Sequence, residues 1–395
     1  MFDENQAGDR PPQGLDPIDV KELDRSEYEG LPARDLPAAL PSAGAQDSGV
    51  PDDAPSVPLA HPRGLMLWLV LLSALGVGGL LIGQQEMAAL VAFAGVVMAA
   101  QAADLDATWR SLYRLVGWVV PIGGAVSFAS TAWMAYQSEL SGTPRVVLIG
   151  YSIGAMLLSL LTLARGFTDE LVVLMFRGAP STHSLRLAAR VVLLGLLFAV
   201  PGYFVFPRVL EMVGGETGGI LENVSMGGEL VGYVVVALAS VGFLLRRDLA
   251  NTLERLGLHR LTRSHLGLIA AGLGALVLFN SSAEWIQHRV FPDLWAHDRD
   301  LNERLTRGLG VGKVLMLGLT AGVGEELTLR GALQPRLGLA LTSLLFAALH
   351  VQYSWYGMLV IFVLGLILGV IRKRASTTTS ILVHALYDVL AVFTT

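Results

Sequence analysis

From Leu65 to Phe393 the apolar residues arrive in long runs, not at a helical or alternating period. A run of roughly 18 to 20 apolar residues matches the bilayer hydrocarbon core as a helix. Such runs lie near 65–83, 87–103, 115–135, 146–164, 191–207, 230–245, 266–280, 309–324, 337–350, 355–371 and 377–393. The pattern predicts an all-α, polytopic transmembrane helical bundle of about 11 spans. Several runs are shorter than the rest, which leaves room for one or two re-entrant segments. Leu171–Phe176 is apolar but too short to span.

Residues 1–62 differ sharply. They are rich in Pro, Asp, Glu, Ala and Gly and lack a sustained period. Such a segment buries too little apolar surface to offset the entropy of ordering. It is expected to be a disordered acidic cytoplasmic tail, with a transient helix around Ile18–Leu31. A solvated tail and a docking arm are both compatible with it. Residues 1–60 lack the basic-then-apolar start of a signal peptide.

Composition supports the membrane assignment, since 53% of the 395 residues are hydrophobic and 15% charged, against about 25% charged in ordinary soluble domains. The net charge of −5 says little about partners, and no basic stripe with interleaved aromatics points to nucleic acid. With no cysteine, disulfides and thiolate chemistry are excluded, and any metal would need His, Asp or Glu ligands.

Orientation follows from Lys and Arg near the span ends. A cytoplasmic N-terminus puts Arg110 and Arg114, then Arg165, Arg177, Arg186 and Arg190, on the cytoplasmic side. The same side receives Arg246, Arg247, Arg255, Arg260 and Arg263, Arg330 and Arg336, and finally Arg372, Lys373 and Arg374. The opposite 208–229 loop is acidic, with Glu211, Glu216, Glu222 and Glu229 against Arg208. The 281–307 loop breaks the alternation, carrying four arginines among its acidic residues. A boundary near Leu253–His265 suggests three parts: the tail at 1–62, a transmembrane region of unknown role at 63–250, and a chemistry-bearing domain at 251–395. No internal repeat is visible.

Ionisable groups at membrane depth are costly and usually functional. Three clusters stand out. In Gly324-Glu325-Glu326-Leu327-Thr328-Leu329-Arg330-Gly331, Glu326 and Arg330 are four apart and share a helical face. Glu325 is rotated by about 100° and left free to face another helix, as a general base would need. Taken alone, this is also what a solvated helix end looks like. His350 ends the run from Leu337, preceded by Phe346; a lone His there is commonly an interfacial residue. His384 and Asp388 share a face inside the final run, where a packing hydrogen bond is the plain alternative. If the three faces converge, they form one site with a Glu base, two imidazoles and a carboxyl group, suited to activating water against a carbonyl.

The ordered triple Glu-Glu-x-x-x-Arg, Phe-x-x-x-His and His-x-x-x-Asp resembles the CPBP family of intramembrane proteases. That family includes the type II CAAX prenyl proteases and the bacteriocin-processing or immunity (ABI) proteins. The resemblance covers roughly residues 308–393. Asn251–Leu258 also looks like the linker preceding the core in many members.

The resemblance implies an intramembrane endopeptidase in a bacterial inner membrane. It would act on membrane-associated proteins or peptides, by CAAX-type or leader-peptide processing. Glu325 would activate water with His350 helping to hold it. His384 and residue 388 would stabilise the oxyanion, and Glu326 and Arg330 would order the first helix. Many members carry Asn where this chain has Asp388. An ionised Asp cannot donate to an oxyanion, so Asp388 is protonated, orients His384 or helps hold a metal. The expected scheme uses no cofactor; the alternative is zinc or another divalent metal on Glu325, His350 and His384.

Two further function classes remain: a non-enzymatic immunity or scaffold protein keeping these helices, and a transporter or proton relay. Gly150-x-Ser152-x-Gly154 matches a nucleophile pattern, but it lies in an apolar span without the strand-turn-helix elbow that motif requires. Helix packing is the default for it, as for Gly318/Gly322 and Gly365/Gly369. Glu284 and His288 are spaced to pair on a helix.

Overall fold

A computed structural model describes residues 62–138, 141–213 and 225–394. The expected disordered tail, its transient helix and the middle of the 208–229 loop lie outside the described residues. Among those residues the chain is helical, with no strands and one isolated bridge between Phe243 and Arg247.

The helices in chain order are α1 (Pro62–Leu81), α2 (Gln85–Leu105), α3 (Arg110–Val116), α4 (Val119–Gln137), α5 (Thr143–Leu161), α6 (Arg165–Met175), α7 (His183–Val213), α8 (Met226–Ser240), α9 (Leu249–Arg255), α10 (Arg263–Val290), α11 (Pro292–Thr306) and α12 (Val311–Leu319). Then come a π-helical segment (Thr320–Leu333), α13 (Gln334–Leu337), α14 (Leu339–Ala348), α15 (Trp355–Arg374) and α16 (Thr377–Thr394). Among the described residues, eight helices are long and apolar enough to cross a bilayer. The other predicted runs fall on α8, on α12 with the π segment, and on α14, each a helix too short or too broken to qualify alone. The ten residues of α14 rise only about 15 Å, half the hydrocarbon thickness.

Leu67, Leu80, Val147, Leu157, Leu278 and Leu359 are more than half exposed on these helices. In water such faces would drive association, whereas in a bilayer they meet solvent of their own kind. The chain is an integral membrane protein.

Local chemistry sets the helix ends. Asp248 caps α9 by accepting from the Asn251 amide (2.9 Å), and Ser354 caps α15 through the Gly357 amide (3.1 Å). Arg372, Lys373 and Arg374 close α15 where cations suit the negative end of the helix dipole.

The interior divides into packed clusters. One joins α1, α2 and α8, around Trp68, Val91, Ala94 and Ala239. Another joins α6 and α7 to the π segment and α14 through Val172, Val192, Leu329 and Phe346. A third binds α10 to α15 and α16 through Leu276, Leu368 and Val383. The fourth puts Ala237 of α8 and Leu256 against Leu327 and Ala332 of the π segment. The π segment is thus packed on several sides.

Candidate active site

The helix that begins at Val311 does not stop at residue 324. It continues through the π segment and α13 to Leu337, so Glu325 and Glu326 lie inside a helix and not at its end. The predicted span limit is corrected accordingly. So is the placement of Arg330 in a cytoplasmic loop, since its side chain is fully buried. The chain then turns at Gly338, whose φ of +85° is open to glycine at no steric cost. Glu326 and His350 stand twelve residues on either side of that turn, and Arg330 and Phe346 eight. An antiparallel hairpin about Gly338 brings each pair to similar depth, and the second pair touches: the Arg330 guanidinium lies 4.6 Å from the Phe346 ring centre. The short α14 ends before His350, which therefore stands on the loop beyond it.

From Thr320 to Leu333 the backbone is π-helical, with i→i+5 bonds in place of i→i+4, a geometry frequent at functional sites. The expected 100° rotation between Glu325 and Glu326 is replaced by the smaller step of a wider helix. The Thr328 hydroxyl donates back to the carbonyls of Gly324 (2.8 Å) and Glu325 (3.1 Å). Glycines admit the neighbours. A Cβ on Gly318 would meet the Ala385 carbonyl oxygen at 2.6 Å, and one on Gly322 would meet the Ala385 backbone nitrogen at 2.9 Å. At Gly324 it would strike Tyr233 of α8 (2.6 Å), and at Gly331 it would crowd Leu256 (3.1 Å). Helix α16, helix α8 and the α9 end thus approach one stretch of backbone from three directions.

Glu326 is the hub, fully buried. Its carboxylate accepts from the Ser380 hydroxyl, faces His384 Nδ1 at 3.1 Å and lies 3.7 Å from Arg330 Nε. His384 Nε2 lies 3.5 Å from the Asp388 carboxylate. His384 therefore bridges two carboxylates, one per ring nitrogen. Arg330 also donates to the Gly365 carbonyl (3.3 Å). Its Nε and Nη1 have no hydrogen-bond partner, so the carboxylate at 3.7 Å and the Phe346 ring face meet its charge.

Glu325 and His350 border this network without a hydrogen bond to any other predicted site residue. Glu325 Oε2 is enclosed and has no hydrogen-bond partner among the described residues, while His384 and Arg330 lie within electrostatic reach. His350 Nδ1 lies 2.7 Å from the Phe346 carbonyl, which fixes the ring to its own helix end. Phe346 contacts both imidazoles, with ring centres 4.7 Å from His350 and 5.9 Å from His384. Asp388 is within electrostatic reach of Glu325, Glu326 and His350. The six expected residues thus surround one buried region, with Glu326, Arg330, His384 and Asp388 in direct contact and Glu325 and His350 at its edge.

As a metal site this arrangement fits poorly. Among the described residues no group of three or more His, Asp or Glu side chains is placed to hold a metal ion. The two nitrogens of His384 already face carboxylates, and one of these belongs to Glu326, which is outside the expected ligand set.

Sequence reasoning missed Ser380 and the central position of Phe346. Ser380, His384 and Asp388 are spaced by four, so one face of α16 carried the signal. The remaining motifs resolve simply. Ser152 is buried in α5, but Cβ atoms on Gly150 and Gly154 would meet nothing within 4 Å, so these glycines do not mark a contact among the described residues. Gly365 and Gly369 do mark one, pressed against Phe346 and Leu339. Glu284 and His288 do not pair; each turns to Trp295, by a hydrogen bond of 3.4 Å and a ring contact of 4.2 Å. The Asn251–Leu258 stretch packs directly on the site helix, with Arg255 donating to the Gly331 (2.9 Å) and Ala332 (3.3 Å) carbonyls.

Residues 308–390 match the family model described as type II CAAX prenyl endopeptidase, Rce1-like, consistent with the CPBP resemblance of the three motifs. The uncharacterized protein YpbD of Bacillus subtilis (strain 168) is 24% identical over 142 residues, which make up 35% of this chain and 72% of that protein. No solved structure matches.

Proposed function

We propose, from the Rce1-like match over residues 308–390, that the chain hydrolyses peptide bonds of membrane-associated proteins or peptides within the bilayer. Glu325 takes the proton from a water molecule as that water attacks the carbonyl carbon, and returns it to the leaving amine nitrogen as the C–N bond breaks. His350, held by the Phe346 carbonyl, steadies the water from the α14 end. His384, fixed by Glu326 at Nδ1, turns its Nε2–H from Asp388, 3.5 Å away, to the oxyanion as that charge forms. Glu326 and Arg330 keep the π segment and α16 in register. The carrying observation is the juxtaposition of an enclosed, unpartnered carboxylate oxygen on Glu325 with the Glu326–His384–Asp388 chain. Such a carboxylate at membrane depth adds nothing to packing and is available for proton transfer. No step runs through a metal.

The positive-inside pattern supports a cytoplasmic N-terminus, with the membrane concerned being a bacterial inner membrane. The 251–395 part carries the chemistry. Whether the substrate is prenylated is a matter for the test, which compares membrane peptides in cells carrying the wild-type or the Glu325→Gln protein. Peptides whose new C-termini vanish in the variant support the reading. Identical peptide sets, with both proteins equally abundant in the membrane, would reject it.

A further inference from the structure

The region before residue 251 contributes a wall to this site. Helix α8 runs alongside the site helix in the same direction. The Thr320 hydroxyl donates to the Met226 carbonyl (3.1 Å), and further along Tyr233 presses on Gly324. Glu229, one turn before Tyr233 on the same face, lies between these contacts and within electrostatic reach of Glu325. Sequence reading had placed it in a loop; it belongs to the first turn of α8. Beyond it, a Cβ on Gly228 would strike the Gln84 side chain at the α1–α2 turn, and exposed Glu86 follows in the first turn of α2, within electrostatic reach of Glu229. Polar side chains therefore run from an exposed turn to Glu325, whose enclosed Oε2 has no partner among the described residues. In a segment otherwise bounded by Val231, Leu90 and Met87, that continuity is not needed for packing.

We propose that Glu229 and Tyr233 are positioning residues for Glu325 and line the route by which water reaches it from the α1–α2 turn. The proposal rests on the hydrolytic reading above. A hydrolase enclosed by lipid consumes a water per turnover, and a polar track supplies it more readily than hydrocarbon. Glu229 holds the outer end of the track, and Tyr233, against Gly324, fixes the backbone from which Glu325 projects.

The chain has no cysteine, so single cysteines can be read without background. Gln84→Cys, Glu229→Cys and, as the lipid-facing control, Val231→Cys are treated in membrane vesicles with a charged, membrane-impermeant thiol reagent. In parallel, Glu229→Gln and Tyr233→Phe are assayed on a peptide found by the membrane-peptide comparison. The expected result is labelling at 84 and 229 but not at 231. The kcat of Glu229→Gln should fall by roughly a hundredfold, as for a misplaced reacting group, with KM changed by less than about twofold. Labelling at 229 no greater than at 231, or a wild-type kcat in Glu229→Gln, overturns the proposal. If those results accompany an inactive Glu325→Gln protein, only the α8 assignment fails. If Glu325→Gln is itself active, the hydrolytic reading fails, while the labelling still reports whether the track is wet.

Discussion

Two helix pairs in this molecule pack directly on one another and are differently filled. Between α4 and α5 the buried polar groups are hydroxyls: Ser159 donates to Pro121 (2.7 Å), Thr162 to Ser159 (2.6 Å), and Ser152 is left without a partner among the described residues. Between the π segment and α16 the interior holds Glu326, Arg330 and His384, all buried. Hydroxyls bonded to carbonyls join helices in lipid at little expense. Buried charges lose several kcal/mol of hydration apiece, and well-packed apolar groups often do as well or better. If holding helices together were the only requirement, the first pair shows how this chain meets it. The second pair carries groups whose presence is explained by chemistry.

Stability measurements in mild detergent sharpen that contrast. Glu326→Ala should have the largest effect, leaving Arg330 buried without its carboxylate; loss of one partner from a buried pair costs about 3–5 kcal/mol. A Glu326→Gln/Arg330→Met double variant should recover most of that stability while remaining inactive, and a double variant as unstable as Glu326→Ala would break the comparison. Gly322→Val comes next. Its side chain would enter the Ala385 backbone and push α16 away, at about 1–3 kcal/mol for overpacking, and it should lower cleavage as well. Ser159→Ala should cost about 1 kcal/mol, the worth of one hydrogen bond, with cleavage unchanged. Gly150→Ala, facing open space, should shift stability by less than about 0.5 kcal/mol. A large loss there would show that the glycine meets a partner beyond the described residues.

A comparably small effect, set apart by its pH dependence, belongs to the Asp169–Arg186 pair. The Asp169 carboxyl is held below its usual range first by the Arg186 hydrogen bond, then by the Ser181 hydroxyl. Its contribution is therefore present above the unfolded carboxylate value and is lost as pH falls through the lowered one. A third of the side chain is exposed, so Asp169→Asn should remove only about 0.2–1 kcal/mol, and only at pH above about 4. Equal losses at pH 3 and pH 7 would contradict the ion-pair account.

Much of the fold could be read from apolar run length, because a bilayer asks little more of a helix than length and hydrophobicity. Run length fails where a helix is polar inside. The run ending at Val323 looked like a finished span because two glutamates followed, and the burial of Glu326 against Ser380, His384 and Arg330 accompanies the helix on to Leu337. Spacing by four made the Glu326–Arg330 and His384–Asp388 contacts legible. The meeting of Glu326 with His384 was not, since it depends on which helix lies opposite. Residues equidistant from Gly338 would have signalled that Glu326 and His350 share a depth. Nothing in α8 marked Glu229 or Tyr233, because an acidic residue at the start of an apolar run reads as a loop.

The most direct test of the central claim uses purified protein in lipid vesicles with a cleavable membrane peptide in ¹⁸O-labelled water. Wild-type protein should place ¹⁸O in the new C-terminal carboxyl group, and Glu325→Gln should leave the peptide intact while His384 and Glu326 keep α16 folded against the site helix. Cleavage by Glu325→Gln at the wild-type rate, with the same label, would contradict the account.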